Sequence, residues 1–193
     1  MAPKGDRTQA HILRVLRDLL HEAGYDRTSV AEVTRRADIT RPAFYFHFDS
    51  LGAAVASLME DFLDRSFAVQ TGWFEHEGDD QPENLRTGVA HTVRLWRNDP
   101  VVMDAMARSA ATDAAARRIW EGWIDLFRER ARIVIRADGR SLSPQQRDSL
   151  SDFLVSMTFD AMARDVRHLV DGGDPDPCLA DTIAEVWIRS VYG

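Results

Sequence analysis

Arg41, Tyr45 and His47 fall within one seven-residue span of the stretch Thr-Arg-Pro-Ala-Phe-Tyr-Phe-His-Phe, residues 40–48. A guanidinium, a phenol and an imidazole are side chains that grip phosphate oxygens and base edges by hydrogen bonding. Pro42 and Ala43, set among them, offer small apolar surfaces suited to thymine methyl groups. Catalytic chemistry finds less support. A helical di-metal carboxylate site needs paired Glu-x-x-His units, whereas this chain has a single Asp165-x-x-His168, which a solvated helix face explains better. No His-Glu-x-x-His run, glycine-rich phosphate loop or Gly-x-Ser-x-Gly elbow occurs. The single cysteine, Cys178, excludes an intramolecular disulfide and a cysteine-based metal cluster, and reads as a small residue near a helix start. No catalytic residue, no metal and no cofactor is called for.

The elements that must position residues 40–48 are set by caps. Phe44, Phe46 and Phe48 alternate as in a strand, but Thr40 is an N-cap candidate and Pro42 sits in a first helical turn, where a missing N–H costs nothing. The stretch is therefore expected to be helical, with Phe44 and Phe48 on one face packed beneath the first helix. Upstream, Ile12, Leu16, Leu19, Leu20 and Ala23 recur at helical spacing and Gly24 ends the run. Ser29 and Glu32 fit a capping box ahead of a two-turn helix, and Asp38 stands at the turn that follows, where aspartate tolerates a left-handed backbone. Lys4 and Arg7 are expected either as a basic arm or as a solvated terminus.

Beyond Asp49-Ser50, a connecting helix is expected over about 51–70, then an acidic loop from Glu75 to Gln81. Helices follow around Glu83 to Arg97, up to about Ala110, over about Asp113 to Ala137, over about Pro144 to Val170, and to about Val191. Asn98-Asp99-Pro100, Asp138-Gly139 and Asp171-Gly172-Gly173 separate them. The chain reads as all-α with about nine helices and without strands or repeats. Its parts are a three-helix domain over residues 1–50 and a helical domain over 51–193.

Three short helices leading into a longer fourth are the plan of a helix-turn-helix DNA-binding domain. Such a domain reads base edges with the first turn of its last short helix, here Arg41, Pro42 and Ala43, Arg41 being suited to a guanine. Thr28 or Ser29, with the backbone N–H groups at the preceding helix start, would meet a phosphate. The segment TSVAEVTRRADITRPAFYFHFDS, Thr28 to Ser50, resembles the DNA-binding signature of TetR-type transcriptional repressors. That resemblance implies that Tyr45 and His47 contact phosphate. This chain departs from the family pattern in having Asp38 in place of glycine, Ala31 in place of a frequent arginine, and Leu51-Gly52 in place of a lysine. Weaker non-specific binding is expected, since each lost phosphate contact flattens the salt slope by about 0.9.

The stretches TRPAFYFHF, ENLRTG and VWIRSVYG, with the length, resemble the ethionamide-resistance regulator subgroup. In the C-terminal part Trp120, Trp123, Ile124, Phe127 and Ala131 share a helix face, joined in composition by Trp96, Met103, Met106, Met157, Phe159, Met162 and Trp187. Periodicity alone does not separate a pocket lining from an ordinary core. The resemblance places Trp96, Trp120, Ile124, Phe127 and Trp187 on an elongated apolar pocket for a lipophilic effector, with Thr158 or His91 as polar anchors. By the same analogy the last two long helices, with Phe153, Leu154, Ile183 and Val186, form a homodimer interface.

Charge agrees with a divided chain. The net charge is −7, made of +1 in residues 1–50 and −8 in residues 51–193, so the acidity belongs to the C-terminal part and does not speak against a DNA operator. No run approaches a membrane span and residues 1–10 lack an apolar leader, so no membrane partner and a cytoplasmic location are expected. The alternative is a helical small-molecule carrier or sensor without specific DNA binding.

Overall fold

The computed structural model describes residues 4–59, 80–137 and 142–193. Among these, every regular element is helical: nine α-helices and one 3-10 turn, with no strand. The helices are α1 (Lys4–Ala23), α2 (Val30–Ala37), α3 (Arg41–His47), α4 (Leu51–Ser57), α5 (Gln81–Asn98), α6 (Pro100–Thr112), α7 (Ala114–Ala137), α8 (Pro144–Val170) and α9 (Leu179–Val191). The all-α expectation holds. Most of the expected connecting helix, the acidic loop up to residue 79 and the turn at Asp138-Gly139 lie outside the described residues. Among the described residues, no helix is long and apolar enough to cross a membrane.

Contacts divide the chain into two compact units, one of Met1–Asp61 with Pro100–Glu121, the other of Phe62–Asp99 with Gly122–Gly193. In the first, α1 buries Ile12, Val15, Leu16, Leu19 and Leu20, spaced three and four apart, against α2, α4 and α6. Val33, Phe44, Val55, Val102, Met103 and Met106 complete that core. Gly24 ends α1 with φ at 75°, a value that favours glycine. Arg108 on α6 forms an ion pair with Asp26 in the 3-10 turn. Lys4 and Arg7 stand within α1, which starts at Lys4, so the basic arm is helical from its first described residue. No proline separates these residues from the apolar stripe that begins at Ile12, and Gly5 weakens the first turn by about 1 kcal/mol without ending the helix.

In the second unit α5 packs along α9 and against α8. Its core includes Leu85, Val93, Trp96, Val134, Ile135, Leu154, Val166, Ile183 and Trp187. Leu154 and Ile183, expected at a dimer interface, are buried within the chain itself, and Val186 is half-buried. Of the four interface residues only Phe153 is exposed, at 64%. Neighbours in a helix point about 100° apart, so Phe153 and Leu154 need not share a face. The ion pair between Arg97 on α5 and Asp165 on α8 joins these helices, with both guanidinium–carboxylate distances at 2.7 Å.

Candidate nucleic-acid interface

Local chemistry builds the α2–turn–α3 unit one cap at a time. Ser29 Oγ accepts the Glu32 N–H at 3.2 Å and starts α2. This is one half of the expected capping box; the Glu32 carboxylate is engaged by Arg35, at 2.6 and 2.9 Å. The Arg35 hydrogen bond holds the Glu32 carboxyl below its ordinary range and Glu32 raises the Arg35 guanidinium in turn. Arg36 on α2 reaches Glu22 on α1 at 2.7 Å. At the other end of α2, His11 Nε2 lies 3.2 Å from the Ala37 carbonyl oxygen. Asp38 adopts φ 52° and ψ 47°, the left-handed conformation, while the Ile39 N–H returns to the Thr34 carbonyl at 3.1 Å. Thr40 Oγ1 then accepts the Ala43 N–H at 3.3 Å and opens α3, with Pro42 in its first turn.

Along α3, Phe44 and Phe48 are buried with ring centroids 5.6 Å apart, and α3 packs on α2. This anchoring leaves Arg41, Pro42 and Tyr45 exposed, with Ala43 and His47 half-buried. All five expected residues of α3 are thus brought together on one short helix. Ser29 is exposed at the start of α2, whereas Thr28 is turned inward, its hydroxyl donating to the Gly24 carbonyl at 2.8 Å. That leaves Ser29 as the open hydroxyl at that helix start. Phe46, to which the sequence assigned no task, is 84% exposed.

The described residues expected around an effector divide between the two units. Met103 and Trp120 belong to the first; Trp96, Trp123, Ile124, Phe127, Met157, Thr158 and Trp187 belong to the second. Within the second unit, Trp96 and Phe127 both meet Phe159 edge to face, at 5.8 and 5.4 Å between centroids. Trp187 Nε1 donates to Thr158 Oγ1 at 2.8 Å, and that hydroxyl donates to the Leu154 carbonyl at 2.8 Å. Trp123, Phe127 and Trp187 are buried, while Ile124, Met157, Thr158 and His91 are half-buried. Phe159 is their shared neighbour, a residue that composition alone does not place. Its register with Met162 and Val166 on the buried face of α8 was the available signal.

Residues 12–50 match the model of the bacterial regulatory proteins of the tetR family. The matched segment is a TetR-type DNA-binding domain. Over 99% of its length the chain is 25% identical to the HTH-type transcriptional regulator EthR of Mycobacterium tuberculosis, of which it covers 90%. It is 24% identical to the A-factor receptor protein of Streptomyces griseus over 94% of its own length and 61% of that protein's. A crystal structure described as a TetR-family transcriptional regulator from Syntrophomonas wolfei has the same fold, with a TM-score of 0.73 at 13% identity, covering 98% of this chain and 97% of the other. Residues 12–50 accordingly carry a helix-turn-helix DNA-binding domain, and the chain as a whole is similar to transcriptional regulators. Among the described residues no group of three or more His, Cys, Asp or Glu is arranged to hold a metal ion.

Proposed function

We propose that this regulator is a repressor that binds a palindromic operator as a homodimer and is released by a lipophilic small molecule. The observation that carries the reading is the division of α3: Phe44 and Phe48 are buried, and Arg41, Pro42 and Tyr45 are displayed. In this reading Arg41, Pro42 and Ala43 meet base edges, whereas Tyr45, His47 and Ser29 hold the phosphate backbone. Two copies of so short a helix read one operator when they enter successive major grooves, about 34 Å apart. Leu126 and Ile133, seven residues apart on α7, and Phe153 on α8 form exposed apolar surface in the second unit that suits the contact between copies.

The effector in this reading sits among Trp96, Trp123, Ile124, Phe127, Met157 and Trp187. Thr158 contributes little polarity, because its hydroxyl is already engaged with Trp187 and Leu154. A ligand held there is recognised mainly by apolar and aromatic contact, and it acts by favouring a conformation whose paired α3 helices no longer match the two grooves.

Selection of bound duplexes from a random-sequence pool tests the DNA half of the proposal. An inverted repeat should emerge, bound saturably and less tightly as salt rises, with Arg41→Ala and Tyr45→Phe each costing about 1–3 kcal/mol. A pool that converges on no inverted repeat would sink it. For the effector half, lipophilic compounds that raise the melting temperature should also release the selected duplex. Stabilisers that leave the duplex bound would favour a carrier over a repressor.

A further inference from the structure

Phe44 is fully buried and so marks the inward direction of α3. At about 100° per residue, Pro42 and Phe46 lie about 160° and 200° from it, on the side that faces directly away from the core. They are four residues apart and form a single ridge. Arg41 and His47 lie only about 60° to either side of Phe44, at the flanks of the helix. The outermost line of α3 is therefore apolar, and its larger member, Phe46, is 84% exposed. The Phe46 ring stands edge-on to His47, with centroids 5.2 Å apart and planes at 89°, so a neighbour orients it.

A phenyl ring has no hydrogen-bonding group with which to sort base edges. In the major groove the one apolar feature that distinguishes a base pair is the 5-methyl group of thymine. We propose that Phe46, with Pro42 beside it, is a specificity-determining residue that recognises a thymine methyl group in each half of the operator. The inference rests on the reading of α3 as the groove-entering helix and adds the base class it selects. It assigns the centre of the contact to hydrophobic selection, with Arg41 and Tyr45 placed at its sides.

The test uses the full-length protein and a fluorescein-labelled duplex enriched from the random pool by the wild-type chain. Each thymine of one half-site is replaced in turn by deoxyuridine, which removes only the methyl group. Wild-type protein should lose about fourfold in affinity at one position, the scale set by one buried methyl. Phe46→Ala should bind the unmodified duplex more weakly and be indifferent to deoxyuridine at that same position, while Phe46→Leu keeps part of the discrimination. Circular dichroism and melting temperature of both variants should match wild type, because the side chain is exposed. The inference is overturned if Phe46→Ala binds the selected duplex as wild type does, if deoxyuridine weakens both proteins equally, or if Phe46→Ala changes the oligomeric state without DNA. A pool that enriches no sequence at all overturns the underlying reading of α3 together with it, whereas enrichment with a silent Phe46 overturns this assignment alone.

Discussion

Gly52 and Asp113 stand so close that a β-carbon on Gly52 would lie 2.7 Å from the Asp113 carboxyl carbon and 2.8 Å from Ala116 Cβ. The Asp113 carboxylate accepts the Ala115 and Ala116 N–H groups at 2.8 and 3.0 Å, which caps α7. It also receives hydrogen bonds from the Ser50 side chain and the Gly52 backbone, at the start of α4. One side chain thus fastens the helix that follows α3 to the start of α7. Gly52→Ala should destabilise the protein by about 1–3 kcal/mol, the usual range for overpacking. Chemical denaturation checks this; an unchanged midpoint would mean that α4 and α7 move apart freely.

The same carboxylate gives an acid-side dependence. Burial alone would raise the Asp113 carboxyl, but hydrogen bonds from Ala116, Ser50, Ala115 and Gly52 outweigh it and hold the group below its ordinary value. A carboxyl with a lower pKa in the folded state stabilises fully above the unfolded value, near 3.9, and that contribution is lost as pH falls through the folded value. Asp113→Asn should therefore be less stable than wild type at pH 7, with the gap closing below about pH 4. Denaturation midpoints of both proteins from pH 7 to pH 3 test this, and a constant gap would contradict it.

Asp165 is only 6% exposed at its side chain and relies on Arg97, which also donates to the Asp176 carbonyl at 2.8 Å. Removing the guanidinium strands a nearly buried carboxylate. Arg97→Ala should cost about 2 kcal/mol, somewhat less than the loss at a fully buried pair because Arg97 is partly solvated. Arg97→Ala with Asp165→Ala should recover part of that loss. Equal losses in the single and double variants would show that the carboxylate is not the cause.

Asp38 holds its left-handed conformation at φ 52° without the freedom of glycine. Alanine there bears the steric cost in full, and glycine avoids it but gains entropy when unfolded. Asp38→Gly should be more stable than Asp38→Ala by about 0.5–1 kcal/mol. Paired thermal melts measure the difference, and the reverse order would remove the strain argument.

Features decided within a few residues were legible in the sequence. Ser29, Thr40 and Ser50 each accept the N–H three residues on, and the caps on either side of α3 outvoted the strand-like alternation of Phe44, Phe46 and Phe48. Asp38 in its left-handed turn was equally local. Features that depend on distant partners were not. The inward turn of Thr28, the burial of Leu154 and Ile183, and the preference of Glu32 for Arg35 depend on competing partners that periodicity does not rank. Asp113 and Gly52 are far apart in the chain, and no spacing rule links an aspartate before an alanine run to a glycine after a serine cap. The exposure of Phe46 was half legible: its face followed once α3 was helical, but its lack of cover required the packing of Phe44 and Phe48.

With seven residues, α3 is about 10 Å long at about 1.5 Å per residue, abreast of about three base pairs at about 3.4 Å each. A base pair read without error carries about two bits, so one such helix conveys about six, and a second copy on a repeated half-site raises this to about twelve. Singling out one address among about a million competing positions takes about twenty bits. In the proposed reading, side chains on α3 therefore supply only part of the message, and the stiffness and groove width of base steps that the helix never touches are a source for the remainder.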